Sequence, residues 1–105
     1  MHDKLTGLIA ATHTPFDPAG DLNLPLIPTI SDYLIRSKVT GAFVAGTTGE
    51  SHSLTVEERL SLTRRWVEVA RGTPLKVIAH VGHNCQRDAI LLAREAAKSG
   101  VHAIA

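Results

Sequence analysis

Gly41-Ala-Phe-Val-Ala-Gly-Thr-Thr-Gly-Glu-Ser51 joins a short apolar run to a turn that leads into a helix. Ala42 to Ala45 are apolar without alternation, the pattern of a strand covered on both faces, and Gly46 is expected to end the run where backbone freedom is needed. Thr47 and Thr48 then place two hydroxyls and two adjacent backbone N–H groups at the C-terminal end of a buried strand, the end where parallel α/β folds hold their ligands. Those donors suit a small anion. The competing reading is a tight turn whose threonines only cap the backbone.

On the N-terminal side, a polar lead-in from Met1 to Thr6 precedes a first strand over Gly7 to Thr12, ended by Thr14-Pro15. Pro18-Ala-Gly-Asp21 is turn chemistry, and Asn23 is placed to cap a helix whose apolar positions Leu26, Ile27, Ile30 and Leu34 recur at three and four. Pro25 fits its first turn, and Thr40-Gly41 is expected to stop it. On the C-terminal side, Thr55-Val-Glu-Glu58 is a capping box. The helix it opens carries one stripe of Val56, Leu60, Thr63, Val67 and Ala70 and a second of Leu62, Trp66 and Val69, which predicts two partly buried sides facing a neighbouring subunit or a later helix. Gly72-Thr-Pro74 separates it from a third strand over Leu75 to Val81. Asn84 is placed to cap a helix through Ala97, closed by Ser99-Gly100 before a fourth strand begins at Val101. The alternation β-α-β-α-β-α-β predicts a parallel sheet with right-handed crossovers, in either a barrel or an open doubly wound sheet.

Composition narrows the function classes. The 105 residues are 44% hydrophobic and 20% charged, ordinary for one globular domain. With a formal charge of +1, no basic run and only two Phe, one Trp and one Tyr, no nucleic-acid partner is expected. A lone Cys85, no secretory or lipidation signal and no long apolar span predict a cytoplasmic protein without a membrane partner. Neither phosphate-loop spacing nor a Gly-x-Ser-x-Gly elbow occurs, so no nucleotide and no cofactor are implied.

Glycine, four small or apolar residues, Gly46-Thr47-Thr48-Gly49-Glu50-Ser51 and then Glu58 resemble the signature of the dihydrodipicolinate synthase/N-acetylneuraminate lyase family, the pyruvate-dependent class I aldolases. Gly7-Leu-Ile-Ala-Ala-Thr-His-Thr-Pro-Phe16 resembles that family's first strand and its Thr-Pro-Phe turn, and Val77-Ile-Ala-His-Val-Gly82 resembles its third. The resemblance runs from Gly7 to Ala105 and implies the N-terminal portion, about three and a half βα units, of a TIM (β/α)8 barrel. A complete barrel takes roughly 250 residues. Because Val101-His-Ala-Ile-Ala105 begins as a strand and stops without cap or turn, residues 1–105 are expected to form a single incomplete domain.

Carried onto this sequence, the family pattern implies that Thr48 binds the carboxylate of pyruvate and that Thr47 binds it too while relaying a proton with tyrosine hydroxyls. Glu50 is assigned a structural role, accepting backbone N–H bonds, because a carboxylate aimed at a carboxylate site would repel its ligand. The family's Schiff-base lysine lies on its sixth strand and its tyrosine at the end of the fifth. Lys4, Lys38, Lys76 and Lys98 precede a strand, close helices or sit at a strand's N-terminal end, so none substitutes and residues 1–105 alone are expected to be inactive. Among six histidines, His80 and His83 with His13 and His52 have no metal-ligand spacing, and no metal is expected. Cys85, without a paired base, is read as inert.

Within the family, His80-Val-Gly82 and Ala10-Ala11 resemble the N-acetylneuraminate lyase branch more than the dihydrodipicolinate synthase branch. That branch implies cleavage of N-acetylneuraminate to pyruvate and N-acetylmannosamine, by a homotetramer whose small-molecule ligand is a 2-keto acid. Dihydrodipicolinate synthase or another 2-keto acid aldolase of the family is the first alternative. A non-catalytic α/β binding module or assembly subunit is the second.

Overall fold

Ala42 pairs with Ala10 on one side and Val77 on the other, so the strand that opens the Gly-Thr-Thr-Gly turn is the interior of a parallel sheet. The computed structural model describes residues 4–105; residues 1–3 of the expected polar lead-in lie outside them. Four strands, β1 (Ile9–Ala11), β2 (Gly41–Val44), β3 (Lys76–Ala79) and β4 (Ala103–Ile104), lie in the order β1-β2-β3-β4 and are all parallel. Three helices connect them: α1 (Ile27–Arg36), α2 (Val56–Ala70) and α3 (Gln86–Ser99).

The strand order decides between the two architectures left open by the sequence. A doubly wound sheet reverses direction at a switch point and carries helices on both faces. Here each strand neighbours its successor, and right-handed crossovers then stack every helix on the same face, which is the start of a barrel wall. Packing agrees: Ala10, Ala42, Val44, Val77 and Ala79 join one core with Ile27, Leu34, Leu62, Trp66 and Ala96 of the helices. The alternate residues of the strands face the other way, toward the barrel interior, where Phe43 is half-buried and Ile9 is 41% exposed.

The capping box forms as read, with the Glu58 N–H donating to Thr55 Oγ1 at 3.0 Å and the Thr55 N–H to Glu58 Oε1 at 2.9 Å. Both stripes of α2 are covered within the chain: α2 packs on α1, α3, β2 and β3, and Leu62 and Trp66 are buried. It is the first stripe, through Leu60, Thr63, Val67 and Ala70, that meets α3; the second lies on the side of α1, where Arg65 Nε donates to the Leu24 carbonyl, so it marks an earlier helix and not the neighbouring subunit or later helix expected. Gly100 closes α3 in the left-handed region at φ 95°, as expected.

Other local readings are corrected. Asn23 makes no side-chain cap; a 3-10 turn over Leu24–Leu26 intervenes and α1 starts at Ile27, because Pro28 withholds the N–H that a helix begun at Asn23 would donate to the Leu24 carbonyl. The stop of α1 is not Thr40-Gly41 but Lys38, left-handed at φ 64°, and Gly41 already belongs to β2. Nor does Asn84 cap α3: Cys85 is its N-cap, and the Cys85 N–H donates to His83 Nδ1 at 2.9 Å. The first and third strands, Ile9–Ala11 and Lys76–Ala79, are shorter than read, although the Thr12, His80 and Val81 N–H groups still donate across to the carbonyls of Phe43, Val44 and Ala105.

Removing the cap at the entry to α2 tests how the helix is anchored. Thr55→Ala is expected to cost about 1 kcal/mol in urea unfolding, and Glu58→Ala a comparable amount, since it removes the charge-assisted one of the two reciprocal bonds.

Candidate functional site

The turn after β2 is built from two left-handed residues that are not glycine. Ala45 at φ 58° and Glu50 at φ 61° bracket Gly46-Thr47-Thr48-Gly49, a conformation that costs each roughly 1–2 kcal/mol. Gly46 is thus not the residue that supplies backbone freedom. Its hydrogen faces the Phe43 ring, and a Cβ there would stand 2.5 Å from Phe43 Cε1. Gly49 is required by close approach as well, since a Cβ would meet the Ala45 Cα at 3.1 Å and the Thr12 carbonyl at 3.2 Å.

Hydrogen bonds hold this strained turn. The Glu50 N–H donates to the Thr47 carbonyl at 3.0 Å, and the Ser51 N–H to the Gly46 carbonyl at 3.1 Å. From the end of β1, the buried Thr14 hydroxyl donates to the Gly49 carbonyl at 2.6 Å. The sequence places Thr14 at the strand end and in the Thr-Pro-Phe turn but gives no sign of this bond; Thr12 and Thr14 are both buried.

What the turn leaves outward is polar. Thr47 and Thr48 are exposed while Gly46 and Gly49 are buried. Among the described residues, neither threonine hydroxyl nor the N–H groups of Thr47, Thr48 and Gly49 has a protein partner. Unpaired donors clustered at the C-terminal end of a central parallel strand can replace the hydration of one small anion, each charge-assisted bond being worth about 1.5–3 kcal/mol. Glu50 is exposed and contributes through its backbone, donating to Thr47 and accepting from the Ser53 N–H at 2.9 Å; the expected bonds from backbone N–H groups to its carboxylate are not formed.

The chain's lysines stand away from this turn. Lys76 opens β3, at the end of the strands opposite Thr47; Lys38 follows α1; Lys98 lies 3.4 Å from Glu95 on α3. The histidines do not converge either: among the described residues no three His, Cys, Asp or Glu side chains are placed to share a metal ion. Cys85 is exposed. A hollow of about 410 Å³ lined by Arg71, Thr73 and His102 opens at the N-terminal ends of the strands. Size does not make it the site, because parallel α/β sheets present their chemistry at the other end.

Arg59 escaped the sequence reading. It is 2% exposed on α2, and its Nη1 and Nη2 donate to the carbonyls of Gly82 at 2.8 Å and His80 at 2.9 Å, tying the loop after β3 to the helix. Burial lowers its pKa from the usual arginine value. The pKa of His80 is also lowered, first by burial and then by the positive Arg59 and by His52, against a smaller opposing effect of the Ala105 carbonyl.

Residues 4–105 match the Dihydrodipicolinate synthetase family. This chain belongs to that family. The N-acetylneuraminate lyase of Xenopus tropicalis is 48% identical over 102 residues, 96% of this chain and 33% of that relative. A Proteus mirabilis N-acetylneuraminate lyase structure superposes with a TM-score of 0.92 at 45% identity, covering 97% of this chain and 34% of its own. A dihydrodipicolinate synthase structure from Bacillus anthracis gives 0.87 at 39% identity, covering 99% and 35%. The chain therefore spans about a third of the length of the relatives it matches. Its four parallel strands and their helices correspond to the N-terminal part of those barrels.

Two outcomes test the site's architecture in the full-length protein. Thr14→Val keeps the shape and removes the donor to Gly49, so unfolding free energy is expected to fall by about 1–3 kcal/mol, the cost of a buried carbonyl left unpaired. His80 gives a pH signature. Its folded pKa lies below the unfolded value of about 6.5, so the unfolded chain takes up the proton first; its contribution is intact above that pH and is lost as pH falls through the depressed folded value. Thermal midpoints measured from pH 7.5 to 5 should decline less in His80→Gln than in the unsubstituted protein.

Proposed function

We propose that this chain is the N-terminal part of a pyruvate-dependent Schiff-base aldolase, an N-acetylneuraminate lyase, in which Thr47 and Thr48 hold the pyruvate carboxylate. The observation that carries this reading is a rigid turn presenting two unpaired hydroxyls and neighbouring N–H groups at the C-terminal end of β2, in a chain of the Dihydrodipicolinate synthetase family. The substrate assignment within the family rests on the 40–48% identity to proteins named N-acetylneuraminate lyase.

In this reading the nucleophile is a lysine beyond residue 105. Its neutral amine adds to the keto carbon and water leaves, giving an iminium that draws in the electrons of the breaking carbon–carbon bond. The carboxylate beside that carbon needs fixed donors, which Thr47 and Thr48 supply. Thr47 also passes the proton released from the cleaved alcohol through tyrosine hydroxyls, which likewise lie beyond residue 105. Residues 1–105 on their own bind weakly and do not turn over. The complete enzyme works in the cytoplasm as a homotetramer on a 2-keto acid and uses no cofactor.

Borohydride reduction of the full-length protein with pyruvate should leave a stable mass adduct on one lysine; no adduct would remove the aldolase class. Release of N-acetylmannosamine from N-acetylneuraminate then separates the lyase from a dihydrodipicolinate synthase. Thr48→Ala is expected mainly to raise the KM for pyruvate, because its hydroxyl serves ground and transition states alike. Thr47→Ala should also lower kcat on the order of 10²-fold through loss of proton transfer, while Thr47→Ser keeps most activity. Folded alanine variants with unchanged kcat and KM would return the turn to a structural role.

A further inference from the structure

The residues that face the barrel interior at the upper ends of β2 and β3 form a stack that ends under the Thr47-Thr48 turn. Phe43 and His80 lie with ring centroids 5.9 Å apart and planes tilted by 40°, within the range of favourable aromatic pairs. Each ring is seated against a glycine. A Cβ on Gly46 would come within 2.5 Å of the Phe43 ring, and a Cβ on Gly82 within 2.7 Å of His80 Cε1. The sequence from one turn to the next is therefore Gly46, Phe43, His80, Gly82, with no room for another side chain at either glycine.

The lower end of the stack is fixed by Arg59, whose two donors hold the carbonyls of His80 and Gly82 while the residue itself is 2% exposed. The upper end carries the strain of Ala45 and Glu50, so something must resist relaxation of the turn. Thr14 resists it from the loop after β1. From the interior side the Phe43 ring lies against Gly46, and that ring is backed by His80.

We propose that His80 is a positioning residue: with Phe43 it forms a ring stack, anchored through Arg59, that sets the height of the Thr47-Thr48 turn and so the fit of the carboxylate. The charged or titratable groups facing His80 are Arg59 from α2 and His52 from the segment before α2, and both favour the uncharged ring that stacks on Phe43. The kinetic form of this inference rests on the carboxylate role of Thr47 and Thr48, whereas its structural form rests on the geometry alone.

The experiment takes the full-length protein with His80→Ala, His80→Gln, His80→Phe and Phe43→Leu. His80→Ala is expected to raise the pyruvate KM roughly 10-fold with kcat changed far less, since a misplaced carboxylate turn weakens binding before it alters chemistry. His80→Phe should restore most of the affinity by restoring a ring. Combining His80→Ala with Phe43→Leu should cost little more than either alone, because both remove one stack. Hydrogen exchange supplies a reading independent of activity: the amides of Glu50 and Ser51, bonded to Thr47 and Gly46, should exchange roughly 10-fold faster in His80→Ala than in the unsubstituted protein. If His80→Ala does not fold, His80→Gln takes the same two measurements with the same expectation. Failure to trap pyruvate on the unsubstituted protein would sink the aldolase reading and leave exchange to decide this one. Unchanged exchange at Glu50 and Ser51, or an unchanged KM in an enzyme that does trap pyruvate, overturns the role given to His80, as does a His80→Phe protein no better than His80→Ala.

Discussion

A parallel neighbour can be added to a strand only if the chain is carried back to the starting end, and in this molecule that return is made three times over the same face. Each return places a helix on the growing wall, so the apolar stripes of α1, α2 and α3 and the alternate residues Ala42, Val44, Val77 and Ala79 meet in one core. The opposite residues are left to the interior, and every loop that follows a strand emerges at one end. The Thr47-Thr48 turn owes its position to that constraint before any of its own residues matter.

Its shape is a second matter, because the turn is not relaxed. Ala45 and Glu50 hold an unfavourable backbone, and the compensation comes from parts distant in sequence: the Thr14 hydroxyl on the Gly49 carbonyl, the contact of Gly49 with Ala45, and the Phe43 ring below Gly46. Strain that survives at a strand end is commonly kept for what the backbone then exposes. Here it exposes donors.

Much of this could be read before the structure because the signals were local. The capping box at Thr55 and Glu58 involves groups three residues apart, and Gly100 ends α3 for a reason contained in its own backbone. The element order and the Gly-Thr-Thr-Gly turn were legible for the same reason. What escaped was set by tertiary contact. Asn23 and Asn84 are exceptions with local causes: they have the chemistry of caps, but Pro28 moved the start of α1, and α3 begins one residue later, at a Cys85 N-cap whose N–H is held by His83. Gly46 looked like the flexible joint, yet the left-handed residue is Ala45, and the reason for glycine is a ring from the preceding strand. Arg59 had every mark of a solvent-facing helix residue; only the carbonyls of His80 and Gly82, more than twenty positions away, give it a place inside.

Trp66 lies fully buried at the centre of α2, with its Nε1 lacking any hydrogen-bond partner among the described residues. An indole kept from water and from other acceptors emits toward the blue, and it is the only tryptophan in residues 1–105. The seam between the sheet and its helices therefore carries an intrinsic optical label, one that shifts to the red when water reaches α2 and stays silent when only the exposed loops move.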